Sequence, residues 1–174
     1  MAKTGLSFVI GRTAEVEKSK NYPVRSFYCN LYQQYAGFEK NGEMRFTPPV
    51  QTVYAAIQGL KEYYAEGEMP KHERHLRVNR AIHEGVAKLG LKEAIKPEIQ
   101  SGLVVSVLYP DDPAWDFGKV HDYCYERGFT IYPGKISSSG TFRLCSLGAI
   151  DESDIKDFFV VFTEAFDKLG IRHE

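Results

Sequence analysis

Residues 103–109 read Leu-Val-Val-Ser-Val-Leu-Tyr. An apolar run of this length, rich in β-branched residues and bounded by turn signals, is the pattern of a buried strand. Downstream, Pro110-Asp111-Asp112-Pro113 reads as a loop, and Asp116–Arg127 as a helix closed by Gly128. Phe129–Tyr132 reads as a short strand ended by Pro133-Gly134, Ser137-Ser138-Ser139-Gly140 as a loop, and Thr141–Cys145 as another strand ended by Gly148. Asp151–Leu169 carries Ile155, Phe158, Phe159, Phe162, Phe166 and Leu169 at helical spacing, with Gly170 as its stop. Residues 98–174 thus read strand, helix, strand, strand, helix. That order predicts an α+β layer, a small, mainly antiparallel sheet covered on one face by helices.

Upstream of this block the pattern is helical. Val50, Val53, Tyr54, Ile57, Leu60 and Tyr64 form an apolar stripe. Thr47 suits its N-cap, Pro48 its first helical residue, and Gly67 its end. A second helix is expected after Pro70, with Leu76, Ile82, Val86 and Leu89 on one side and Gly90 as the stop. Nearer the N-terminus, Gly5–Ile10 reads as a short buried strand, and Thr13 caps a charged helix running to Lys20. Asn21-Tyr22-Pro23 breaks the chain, and Phe27–Phe38 is rich in Tyr and Gln without clean periodicity. That stretch is a poor core-former alone and is expected to pack on something.

Composition narrows the function classes. At 174 residues, with 43% apolar and 26% charged residues, the chain has an ordinary globular make-up, which excludes disordered, collagenous and coiled-coil classes. Lysine and arginine number 22 against 23 acidic residues, a net charge of −1, so the basic excess of a nucleic-acid binder is missing. Small molecules or other proteins are the expected partners. Three cysteines, Cys29, Cys124 and Cys145, do not make a disulfide framework and fit a reducing compartment. The apolar run Phe158–Phe162 is far too short to cross a bilayer, and no signal-peptide pattern opens the chain, so a cytoplasmic location without membrane contact is expected.

Few residues advertise chemistry. Phosphate-binding glycine loops, paired Cys-x-x-Cys motifs and a nucleophile elbow are all absent from the sequence. His72 and His75 lie three apart without a third ligand and read as solvated helix side chains, so no metal site is expected. Cys124 and Cys145 read as small core residues. Two spots remain. Thr47, in Arg45-Phe46-Thr47-Pro48-Pro49, places a hydroxyl at a helix start, where free N–H groups suit an anion; the plainer reading is an ordinary cap. Arg143 stands opposite Phe142 and Leu144 by strand alternation, and either faces solvent or reaches for a carboxylate with a two-pronged contact. Tyr132-Pro133-Gly134-Lys135, just upstream, is a pocket rim or a hairpin connection.

Three ordered motifs carry a resemblance. They are Arg45-Phe46-Thr47-Pro48-Pro49-Val50-Gln51-Thr52-Val53-Tyr54, then Phe129-Thr130-Ile131-Tyr132-Pro133-Gly134-Lys135, then Thr141-Phe142-Arg143-Leu144 with Leu147-Gly148. Together they resemble the 2-aminoethylphosphonate–pyruvate aminotransferases, class V, fold-type I enzymes dependent on pyridoxal 5'-phosphate. Gly5-Leu6-Ser7-Phe8-Val9-Ile10 resembles the strand just after that family's cofactor lysine, and Arg25-Ser26-Phe27-Tyr28 with Leu31-Tyr32 follows in family order. The likeness covers essentially the whole chain.

The resemblance implies the C-terminal half of such an enzyme. Residues 1–46 would be the remnant of the cofactor-binding large domain, 47–97 connecting helices, and 98–174 the small C-terminal α+β domain. The Schiff-base lysine would be missing, since only four residues precede Gly5 and Lys3 lacks its context. No catalytic residue is therefore assigned, and the chain alone is expected to be inactive. The implied reaction moves the amino group of 2-aminoethylphosphonate to pyruvate, giving phosphonoacetaldehyde and alanine. Arg143 matches the arginine that binds the carboxylate of pyruvate and alanine. Thr47 matches the threonine that reaches the cofactor phosphate, in the family from a neighbouring subunit. The implied partners are small amino and keto acids, a second copy of the chain, or a complementary N-terminal half. The alternative is a non-catalytic remnant or interaction subunit that binds an acidic ligand or the complementary half.

Overall fold

The strand at Val104–Leu108 (β1) builds an antiparallel sheet with Tyr132–Ile136 (β2) and Ser139–Cys145 (β3), in the order β1-β3-β2. The computed structural model describes residues 6–136 and 139–173. Register pairs Ser106 and Tyr132 with Arg143 from either side of the central strand, and Leu108 and Gly134 with Thr141. Because side chains alternate along a strand, Val105, Val107, Phe142 and Leu144 share one face, and all are buried. A short segment extends the sheet beyond β1: Glu93 bridges Val107, and Ala94 donates to the Ser106 carbonyl at 2.8 Å.

Helices cover the apolar face. They are Glu68–Lys88 (α4), Phe117–Tyr125 (α5) and Glu152–Leu169 (α6), preceded in the chain by Thr13–Lys18 (α1), Leu31–Asn41 (α2) and Val50–Glu66 (α3). Val78, Ile82 and Val86 of α4, Val120 and Cys124 of α5, and Ile155, Phe158, Phe162 and Phe166 of α6 close the core against the strands. Burying each large side chain is worth roughly 1.5–3 kcal/mol, so the phenylalanines of α6 dominate this half of the molecule. The start of α6 is specified locally. Asp151 accepts from the backbone of Ser153 and Asp154 while the Asp154 carboxylate accepts from the Asp151 N–H, and Gly170 ends the helix in the left-handed region.

The chain divides into two units, residues 1–62 and 63–174. The second holds every buried residue described above. In the first, none of the described residues is buried. Among the described residues no helix is long and apolar enough to cross a membrane.

The mixed α+β class and the antiparallel sheet match the reading of the sequence. Several local expectations do not. Residues 6–10 form no strand, and Phe8 and Ile10 are 82% and 89% exposed; a strand needs a ladder partner, and the described residues of the first unit hold no strand to supply one. Gly5 itself, the Met1–Thr4 start, and the loop residues Ser137 and Ser138 lie outside the described residues. Phe27–Phe38, without evident period, holds the first two turns of α2, which runs on to Asn41. It is capped by the Asn30 side chain on the Gln33 N–H at 3.0 Å and stopped by Gly42 in the left-handed region. On α4, Leu76 is exposed and Val78 takes the inward position. β2 begins at Tyr132 and runs through Pro133-Gly134 instead of ending there. It is an edge strand, where a proline's missing N–H need cost no ladder bond.

Candidate functional site

Thr47 does not cap α3. The helix begins at Val50, three residues later. Pro48 precedes a proline, whose ring drives it out of the helical region, so it cannot serve as the first helical residue, and Thr47 is left ahead of the helix start. The Val50 N–H instead turns back to the Pro48 carbonyl at 2.9 Å, and the first intrahelical bond runs from Val53 to Pro49 at 3.0 Å. The N–H groups of Gln51 and Thr52 are left without an intrahelical partner. Thr47 is exposed ahead of them.

The residues before Thr47 are held by an aromatic cluster. Phe46 stacks on Tyr28 at 4.9 Å and meets Phe27 edge-on at 5.9 Å. Arg45 lies over both phenylalanine rings and donates to the Phe27 carbonyl at 2.7 Å, while its N–H donates to Gln34 Oε1 at 3.2 Å. The Arg45 guanidinium therefore serves the fold of this segment.

Arg143 sits at the middle of β3, on the sheet face opposite the core, and is exposed. Its Nη2 donates to the Pro133 carbonyl on β2 at 3.1 Å. It points away from Phe142 and Leu144, as strand alternation predicts. One donor is tied to the backbone, and the rest of the planar donor fork, which has no other partner among the described residues, can take a carboxylate. Tyr132, directly opposite on β2, is also exposed. Thr141, two residues before Arg143, is fully buried with an Oγ1 that finds no partner among the described residues.

The other residues singled out in the sequence have structural surroundings. His75 Nδ1 lies 2.8 Å from the Ser146 carbonyl. Cys124 is buried in the core, where desolvation pushes its thiol up to about 11; Cys145 is half-buried and raised for the same reason, and Cys29 is exposed. Thr47 belongs to the first unit and Arg143 to the second. What the sequence did not disclose is the Pro133 carbonyl as the seat of Arg143. Its only signal was a proline in a run with strand character, which marks an edge strand as readily as a strand end.

No family model matches the chain. Curated relatives do. A 2-aminoethylphosphonate–pyruvate transaminase of Burkholderia lata is 35% identical over 169 residues, covering 96% of this chain and 45% of the relative. One from Phocaeicola vulgatus is 38% identical over 152 residues, covering 86% of this chain and 41% of the relative. The chain thus spans less than half the length of these relatives. Among solved structures, the pyridoxamine–pyruvate aminotransferase of Mesorhizobium loti superposes with a TM-score of 0.75 at 20% identity, over 93% of this chain and 42% of that one. The ureidoglycine–glyoxylate aminotransferase of Bacillus subtilis gives 0.75 at 20% identity, over 92% and 42%. The fold is that of the C-terminal portion of such aminotransferases.

Proposed function

From the premise that this chain is homologous, over nearly its whole length, to part of the 2-aminoethylphosphonate–pyruvate transaminases, we propose that it is the C-terminal part of an enzyme of that activity. The assembled enzyme transfers the amino group of 2-aminoethylphosphonate to pyruvate, releasing phosphonoacetaldehyde and alanine. The observation that carries this reading is the match across 96% of the chain to a protein of that name. In this reading residues 1–46 complete a large domain, 47–97 connect, and 98–174 form the small domain, in a cytoplasmic enzyme.

Pyridoxal 5'-phosphate, when bound, supplies the electron sink that such a transfer needs. The residues present fit one part of it. Thr47 offers an exposed hydroxyl a few residues ahead of two backbone N–H groups of α3 without intrahelical partners, donor types suited to a phosphate. Arg143 holds the keto-acid carboxylate through its open fork, with the Pro133 carbonyl fixing one side of the guanidinium. In this reading the lysine that would anchor the cofactor and move the proton belongs to the N-terminal half.

The test is complementation. The purified 174-residue chain should form no alanine from 2-aminoethylphosphonate and pyruvate, and a chain carrying the remaining N-terminal half should restore the reaction when mixed with it. Alanine formation by the chain alone would contradict the missing lysine, and a folded mixture without activity would contradict the transaminase reading. A second reading, an interaction subunit, is favoured by one observation: Phe8, Tyr22, Phe27, Tyr28 and Leu31 are all exposed in a unit with no buried core. Stable association with the N-terminal half, without turnover, is its signature.

A further inference from the structure

Gly134 lies directly opposite Thr141, one residue from the carbonyl that holds Arg143. A Cβ at position 134 would stand 2.2 Å from Thr141 Oγ1, 3.0 Å from its Cβ and 3.1 Å from its backbone oxygen. Thr141 is 0% exposed, so its side chain has nowhere to swing. Its hydroxyl has no hydrogen-bond partner among the described residues, so packing alone fixes it. Gly134 does not have a positive φ, so glycine is required here by space and not by backbone dihedral. The side chain of Thr141 occupies the volume that any residue larger than glycine would need.

Among the described strands β2 lies at one edge of the sheet and pairs with β3 alone, and Arg143 rises from β3 on the face that Gly134 and Thr141 share. Its guanidinium reaches the Pro133 carbonyl at 3.1 Å, beside the bare Gly134 position. A side chain at 134 would push β2 away from β3 at this point and carry the Pro133 carbonyl with it. We infer that Gly134 is a positioning residue for Arg143: it lets the two strands close so that the Pro133 carbonyl holds the guanidinium and presents its open fork. That the presented fork takes a keto-acid carboxylate rests on the function proposed above; that Gly134 orders the guanidinium does not.

The test reads Arg143 directly. In the ¹⁵N-labelled 174-residue chain, the Arg143 Nε–H signal is assigned by its loss in Arg143→Lys, and its order is measured by ¹⁵N relaxation. The native signal should be ordered. Gly134→Ala should leave it as mobile as an unrestrained surface arginine, while the signals of Val105, Val107 and Phe162 stay in place. Gly134→Ala/Thr141→Gly, which moves the side chain to the other strand, should restore the order. An Nε that is mobile in the native chain, ordered in folded Gly134→Ala, or mobile in the folded double variant overturns the inference. Should Gly134→Ala fail to fold, the double variant against the native chain carries the comparison. A pyruvate titration on the same signals separates the two layers. Loss of preorganisation should weaken binding about five-fold in Gly134→Ala. No response to pyruvate in the native chain would sink the carboxylate role of Arg143 and leave the relaxation result to decide the role of Gly134.

Discussion

Arg143 shows how one side chain divides its donors between fold and ligand. The 3.1 Å bond to the Pro133 carbonyl uses one hydrogen of Nη2, and a guanidinium keeps its planar fork when one hydrogen is so engaged. A lysine keeps the charge but not the fork. In the enzyme reconstituted with its N-terminal half, Arg143→Lys should therefore raise the apparent KM for pyruvate. The scale is that of a charged hydrogen bond, about 1.5–3 kcal/mol or about one to two powers of ten, and Arg143→Ala should be worse. Thr47→Ala should behave differently. Thr47 caps nothing, since α3 starts three residues later, so the substitution should leave stability unchanged and weaken cofactor retention, and excess pyridoxal phosphate should rescue it. Steady-state kinetics with pyruvate and cofactor varied separately checks both. An Arg143→Lys enzyme with native KM, or a Thr47→Ala loss that extra cofactor does not mend, would refute the assignments. Both residues were legible as candidates because their types and settings, a hydroxyl near a helix start and an arginine on a strand, carry chemical meaning. The way each is held was not legible, because consecutive prolines displace the helix start and the Arg143 partner is a backbone carbonyl with no sequence identity.

Elements meet where glycine or charge lets them. On α4, Gly85 faces Phe159 of α6, and a Cβ there would stand 2.2 Å from the ring. Overpacking costs about 1–3 kcal/mol, while alanine regains about 1 kcal/mol of helix propensity. Gly85→Ala should thus lower stability by up to about 2 kcal/mol in urea unfolding, and adding Phe159→Leu should recover part of it; a more stable Gly85→Ala chain would contradict this contact. At the other end of α4, Arg74 grips Glu66 of α3 through Nε at 2.6 Å and Nη2 at 3.1 Å, and donates to the Gly148 and Ile150 carbonyls before α6. The Arg74 hydrogen bonds, then that of Lys71, hold the Glu66 carboxyl down from 4.5 to about 2. For a depressed acid, the stabilisation is present above the unfolded value and is lost as pH falls through the folded one. Melting temperature should therefore decline between pH 4.5 and about 2, with a shallower decline in Glu66→Gln; parallel curves would remove Glu66 from the acid response. Long amphipathic elements such as α3, α4 and α6 were legible because their faces repeat. α2 was missed although Asn30 and Gly42 mark its two ends, since its Tyr- and Gln-rich interior shows no apolar stripe when nothing covers it. The β2 boundary was misread because proline and glycine are compatible with an edge strand, and edge position is a property of the sheet, not of the segment.

The two units differ in kind. Residues 78–171 contain the whole buried apolar core, from Val78 to Ile171, whereas residues 6–62 have helices without any buried side chain. Helices of six and eleven residues, such as α1 and α2, are shorter than an isolated helix needs in water, so their stability must come from packing. In the first unit that packing is limited to surface pairs such as Tyr28 on Phe46 and Lys20 near Tyr32. Exposed Val9, Val24, Phe38, Tyr54 and Leu60 add apolar surface that remains in contact with water. Amide exchange follows the free energy of the opening that exposes each N–H, from near zero in uncovered segments to the global value in a core. In a dilute solution of the chain, amides of β1, β3, α5 and α6 should therefore exchange only through global unfolding, and amides of α1 and α2 should exchange through local opening, orders of magnitude faster. The same contrast predicts the effect of a partner. A ligand that binds only the folded form stabilises it by mass action, so adding the N-terminal half should slow exchange in residues 6–62 far more than in the core, which has little left to gain. Uniform strong protection of the chain by itself would mean that the first unit finds its cover within its own sequence. Protection that the N-terminal half leaves unchanged in α1 and α2, while activity is restored, would place the docking surface elsewhere.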